Sequence, residues 1–176
     1  MAIQFDTLPK ESPFALPKPD VYKAVVVEAE MRKPKTKKDD GTEKPPYLNL
    51  KLQLTDHAGK KCGAIYDILS ESESSVVLYK ISRFLLACNI PLVGEMELAD
   101  IAKIVLNKEI AVDVCHDTKS NPPKAQVDIF TREAYYPIGQ FEEIYKLAHA
   151  EDAETATSAD APFMQIPETP EEETEY

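Results

Sequence analysis

The 176-residue chain carries 31 acidic and 20 basic residues, but residues 151–176 hold nine of the acidic residues and no Lys or Arg. The first 150 residues are therefore nearly neutral, so the formal net charge of −11 does not exclude binding to a polyanion. No apolar run approaches the 18 residues of a membrane-spanning helix, and the five glycines form no phosphate-binding loop. These features argue against a membrane span and against a P-loop nucleotide site.

Three segments are predicted from composition. Residues 1–20 are rich in proline, which favours an extended arm. Residues 21–150 have the usual size of one domain with a real hydrophobic core. Residues 151–176 form a disordered acidic tail, because their composition buries too little apolar surface to offset the entropy of ordering.

The cysteines and the N-terminal sequence predict a cytoplasmic protein. Cys62, Cys88 and Cys115 stand far apart and lack C-x-x-C spacing, which indicates reduced thiols. The N-terminus lacks the charged start and apolar stretch of a signal peptide.

Three strands are expected in the first half of the domain. The first covers residues 21–33 and ends at Pro34. The second, residues 47–54, alternates strictly, so that four leucines face the core and the opposite face displays Tyr47, Asn49, Lys51 and Gln53. A turn at residues 56–59 then returns the chain along a third strand, residues 60–69.

A change of periodicity marks a helix after the third strand. Ser70 and Glu73 have the spacing of a capping box, and apolar residues then recur at three- and four-residue intervals. Asn89 and Pro91 are expected to end this helix, and a shorter one is expected over residues 97–106.

Two strands and a helix complete the domain. The strands are predicted at residues 109–116 and 125–132, and an amphipathic helix is predicted at residues 141–148. In the last strand, Phe130 and Arg132 would point away from the core.

The predicted order is strand, strand, strand, helix, strand, strand. This is the element order of the OB-fold, a five-stranded, partly open barrel that binds oligonucleotides on its second and third strands and adjoining loops. The fold class predicted is therefore mainly β with added helices. A generic α+β sheet domain with the same order is the alternative.

A basic loop adjoins the polar face of the second strand. Cations that follow a groove, next to aromatic rings on which bases stack, are typical of proteins that bind single-stranded nucleic acid. A solvated loop and core-packing rings are the structural alternative. The candidate nucleic-acid-binding residues are Lys33, Lys35, Lys37, Lys38, Lys44, Tyr47, Asn49, Lys51, Tyr66, Phe130 and Arg132.

The acidic tail is a candidate docking segment for a protein partner, because blocks of like charge at a terminus often serve as interaction tails. A solubilising tail is the alternative. The residues selected for partner binding are Phe163, Glu171, Glu172, Glu173, Glu175 and Tyr176.

The domain resembles phage-encoded single-stranded DNA-binding proteins of the OB-fold type. The resemblance is carried by residues 21–26 (VYKAVV), 46–52 (PYLNLKL) and 59–69, and by the acidic ending at residues 171–176. It implies a protein that coats and protects single-stranded DNA in phage replication or recombination, in the cytoplasm of an infected bacterium. It also implies a tail that recruits replication or recombination proteins and competes with DNA for the binding groove. No cofactor or metal is implied.

Other functions are less well supported by the residues. His57, His116 and His149 are isolated, so no zinc-binding group is expected, and a magnesium site at Asp113, Asp117 and Asp128 is a minor alternative. The main rival to DNA binding is an acidic adaptor or DNA-mimicking protein that acts through protein contacts alone. We expect no catalysis and no membrane partner, and we leave open whether the protein forms a homo-oligomer.

Overall fold

A curled antiparallel sheet dominates the protein, whose computed structural model describes residues 16–129 and 133–157. The strands in this described part are β1 (Asp20–Arg32), β2 (Tyr47–Thr55), β3 (Lys61–Ser70), β4 (Glu109–Asp117), β5 (Lys124–Val127) and β6 (Tyr135–Pro137). The α-helices are α1 (Ser75–Ala87), α2 (Leu98–Val105) and α3 (Phe141–Thr157). The predicted class, mainly β with helices between the third and fourth strands, is confirmed.

The strands follow the order β3-β2-β1-β4-β5, and β6 also pairs with β4. All of these pairs are antiparallel. β3 and β5 approach each other, but in the described residues no backbone pairing joins them. The five strands therefore form a half-barrel with an open seam between β3 and β5, not a closed barrel.

The inner face of the sheet carries the main core. Leu48, Leu50, Leu52 and Leu54 of β2 are fully buried there, as the alternation of β2 predicts. Each buried leucine contributes roughly 1.5–3 kcal/mol to folding. α1 and α2 supply the opposing apolar surface and close the core.

A smaller core lies on the outer face, beneath α3. Phe141 at the start of α3 packs there with Val21, Ala111 and Tyr136. The Tyr136 hydroxyl donates a 3.0 Å hydrogen bond to Oδ2 of the buried Asp113. Burial and the neighbouring Asp113 raise the pKa of Tyr136, so the phenol stays protonated as a donor. α3 is thereby fixed to β1 and β4.

Several local predictions are corrected by the structure. The capping box at Ser70 and Glu73 is wrong, because Ser70 still pairs with Tyr47 in the sheet and α1 begins after Ser74. β5 was predicted to continue to residue 132 but ends at Val127. It pairs with residues 114–117 of β4, and β6 pairs with residues 110–112 along the same edge. The short strand β6 was not predicted.

Other boundaries agree with the sequence or extend it. Asn89, with a positive φ of 57°, follows the end of α1 as predicted. α3 continues past its predicted end at residue 148 to Thr157, which carries the helix into the acidic segment. In the described part of the chain, no helix is long and apolar enough to cross a membrane.

Candidate nucleic-acid interface

The outer side of β2, β3 and the second half of β1 forms an uncovered surface, which we call the open face. The β-sheet register arranges it in three rows: Arg32, Tyr47 and Ser70; Glu30, Asn49 and Ile68; Glu28, Lys51 and Tyr66. In this stretch of β1 the described residues pair with β2 alone, since the pairing with β4 ends at Val25.

A β-bulge decides which side chains of β1 reach the open face. Val21, Lys23 and Val25 point outwards in the first half of the strand, and the register then shifts between Val26 and Glu28. The extra residue turns the even-numbered side chains outwards, because side chains in a strand alternate with a period of two. The bulge is the reason that Glu28, and not Val27, stands opposite Lys51.

The cations of the open face are paired with carboxylates. Lys51 Nζ lies 2.5 Å from Oε1 of Glu28, and Arg32 Nη2 lies 3.1 Å from Oε2 of Glu30. The hydrogen bond and charge of Glu28 raise the pKa of Lys51 above its ordinary value. The strand surface is therefore close to neutral.

Aromatic and apolar groups remain exposed on this face. The side chain of Tyr66 is 55% exposed, and that of Ile68 is 49% exposed. Lys51 Nζ lies 5.9 Å from the centroid of the Tyr66 ring, within cation–π range. Tyr47 is half-buried at the opposite end of the face. The sequence left open whether Tyr66 belongs to the core, and the structure places it at the surface beside Lys51.

Asn49, which was expected to be displayed, is only 6% exposed. Its side-chain nitrogen Nδ2 is buried and has no hydrogen-bond partner among the residues that the structure describes. Buried polar side chains nearly always have a partner. The amide of Asn49, at the centre of the open face, is therefore an unusual buried donor that lacks a hydrogen-bond partner in the described residues.

A lysine-rich hairpin extends the open face at the Tyr47 end. We call this hairpin, residues 33–46, the lysine finger. Backbone contacts order this exposed hairpin: Lys37 and Glu43 form an isolated antiparallel β-bridge, and Lys38 N donates to Thr42 O over 2.8 Å. Gly41 makes the turn with a φ of 82°, a conformation that other residues rarely adopt.

The lysine finger is the positive part of the interface. It contains five lysines and three acidic residues. Thr42 donates hydrogen bonds to Asp40, which lower the pKa of that carboxyl and order the tip. Lys44 Nζ lies 3.2 Å from Oγ1 of Thr36, across the hairpin. Cationic groups are thus held next to a nearly neutral strand surface that carries the half-buried Tyr47 ring and the exposed Tyr66 ring.

The open seam borders the other side of the open face. A groove of about 230 Å³ lies there, lined by Tyr66, Ile68, Lys80 and residues of β5. In its lining, Lys80 Nζ lies 2.5 Å from Oδ1 of Asp67, and the Tyr135 hydroxyl also donates to Asp67. Burial raises the pKa of Asp67, while the charge of Lys80 acts in the opposite direction. Asp67 and Lys80 thus give the groove at the open seam a polar lining.

The acidic, histidine and cysteine side chains considered for a metal site do not form one in the described residues. No group of three or more His, Cys, Asp or Glu side chains is placed to hold a metal ion there. Asp117 instead accepts hydrogen bonds from Lys119 N and Ser120 Oγ in its own turn. All three cysteines are free, and burial raises the pKa of Cys88 to about 12.

Part of the predicted interface falls outside the described residues. This applies to Phe130 and Arg132, and to the partner-binding residues Phe163, Glu171, Glu172, Glu173, Glu175 and Tyr176. The other predicted residues lie on the open face or the lysine finger. Two features of the site were missed: the pairing of the cations with Glu28 and Glu30, and the isolation of the Asn49 amide.

No protein-family model matches the chain, and no curated protein has a significantly similar sequence.

Proposed function

We propose that this protein binds single-stranded DNA across the open face, with the lysine finger supplying charge. The observation that carries the proposal is the exposed Tyr66 ring beside Lys51, on a sheet surface that α3 leaves uncovered. A stacked base contributes roughly 1–3 kcal/mol of affinity without demanding a sequence. Rings with nearby cations suit an unpaired strand, because its bases are free to stack.

The strand arrangement supports an OB-like interpretation of the half-barrel. β1 pairs with both β2 and β4, and helices lie between β3 and β4, in agreement with the element order of that fold. The open face is then the β2–β3 surface on which OB-folds hold oligonucleotides, and the lysine finger is the adjoining loop.

The resemblance to phage single-stranded DNA-binding proteins extends the proposal. The protein would coat and protect single-stranded DNA in replication or recombination, and its acidic tail would recruit other proteins of these processes. Preference for DNA over RNA follows from the resemblance alone.

Titration of labelled oligo-dT across a salt series tests the proposal. Affinity should fall as salt rises, because each phosphate contact contributes roughly 0.7 to the salt slope for a single strand. Replacing Lys37 and Lys38 together by Ala should flatten the slope by about 1.4. The matched control is the double replacement of Lys103 and Lys146, which lie on α2 and α3 and not on the lysine finger.

Two results would count against the proposal. Absence of oligo-dT binding at low salt would reject it and would favour the acidic adaptor. An equal change of slope in the control variant would show that net charge, and not the lysine finger, determines the salt dependence.

A further inference from the structure

The buried amide of Asn49 is isolated by the way its neighbours pair. Asn49 stands opposite Glu30 on β1 and Ile68 on β3, with Tyr47 and Lys51 two residues away on its own strand. Glu30 accepts from Arg32, and Lys51 donates to Glu28. The nearest charged groups are therefore engaged with other partners, and Nδ2 of Asn49 has none in the described part of the chain.

The groups around Asn49 Nδ2 determine which kind of hydrogen-bond acceptor can bind there. Glu30 lies in the row of Asn49 and Glu28 lies in the next row. Each is paired with a cation, Arg32 or Lys51, so these two cations are not available to a phosphate. A nucleobase edge is neutral and carries carbonyl or ring-nitrogen acceptors. A neutral base is therefore a better partner here than the phosphate backbone.

The rings place bases at the right position. Tyr47 lies two residues from Asn49 on β2, which is roughly 6.8 Å along the strand. Tyr66 is the diagonal neighbour of Asn49 on β3, at roughly 7–8 Å. A base stacked on either ring would bring its edge near the amide, and the buried Nδ2 would be reached by displacing a side chain that covers it.

From this geometry we propose that Asn49 donates a hydrogen bond to a nucleobase of the bound strand. The bound strand then turns its bases towards the open face and its phosphates towards the lysine finger. This inference rests on the proposed function and adds to it a base contact and an orientation of the strand.

The test compares Asn49→Leu with the wild type on oligo-dT and on an abasic strand of equal length. One hydrogen bond is lost, so affinity for oligo-dT should fall about three- to tenfold, while affinity for the abasic strand should not change. The melting temperature should not fall, because an apolar side chain replaces an unmet buried donor. Asn49→Ala serves as a second variant if the leucine prevents folding.

Gln53→Leu is the matched control on the same strand face. Its amide already has a partner, since Nε2 donates to the carbonyl of Gly63 over 2.6 Å. This variant should lower the melting temperature and leave the affinity for oligo-dT unchanged.

Three outcomes would overturn the role of Asn49. These are an unchanged oligo-dT affinity, an equal loss on the abasic strand, and a melting temperature lowered as much as in the Gln53 control. The third outcome would show that the amide stabilises the fold. A wild-type protein that does not bind oligo-dT would instead contradict the proposed function itself.

Discussion

The two halves of the outer sheet surface differ in whether a helix covers them. Over the first half of β1 and over β4, α3 buries Phe141 and Tyr136 almost completely. Over β2, β3 and the second half of β1, Tyr66 and Ile68 stay about half exposed. Both halves belong to one continuous sheet, so the difference lies in what covers them.

The covered half shows how this protein closes apolar sheet surface. His57, in the β2–β3 turn, stacks on Tyr145 of α3 with the ring centroids 4.2 Å apart. Its Nε2 lies 2.9 Å from a carboxylate oxygen of Glu142, and Lys23 Nζ lies 4.7 Å from the centroid of the Phe141 ring. Stacking, charge and burial act together there. The open face beside it has exposed Tyr66 and Ile68 side chains among paired charges and no covering helix.

The largest expected effect is on stability, in the covered half. Phe141→Ala removes a ring that is 1% exposed and should lower the free energy of unfolding by about 3–5 kcal/mol. Tyr66→Ala, in the open half, should change it by roughly 0.5 kcal/mol at most. Urea denaturation measures both variants. Similar losses would show that Tyr66 is part of the packed structure and would remove the contrast between the halves.

The sequence predicted the framework of both halves because local patterns determine it. The alternation in β2 identified the four buried leucines and the face that carries Tyr47 and Lys51. In β3 neither face is cleanly apolar, since Asp67 points inwards to meet Lys80. The position of Tyr66 could therefore not be decided from the sequence.

The charge pairing on the open face could not be predicted, because it depends on how neighbouring strands pair. The bulge after Val26 determines that Glu28 stands opposite Lys51, and nothing within β1 alone reveals it. For the same reason the sequence indicated a polar strand face beside a basic loop and did not reveal that Lys51 and Arg32 are paired with carboxylates.

An intermediate effect is expected on binding, in the open half. Tyr66→Ala should weaken oligo-dT binding by roughly 1–3 kcal/mol, because a stacking platform is lost, and should leave the salt slope unchanged. Fluorescence anisotropy at several salt concentrations measures both quantities. Tyr79→Ala is the matched control, since this tyrosine is 52% exposed but lies on α1. Equal weakening in both variants would contradict a specific role of the open face.

The smallest effect concerns the pH dependence of the covered half. The hydrogen bond from His57 lowers the pKa of Glu142 below its usual value of 4.5. Because the folded pKa lies below the unfolded one, this contribution to stability is complete above about pH 4.5 and is lost as the pH falls through the folded pKa. Glu142→Gln should therefore melt slightly below the wild type at pH 7, and the difference should vanish in acid. A difference that persists in acid would show that the carboxylate charge contributes nothing to holding α3, and that packing alone separates the covered half from the open one.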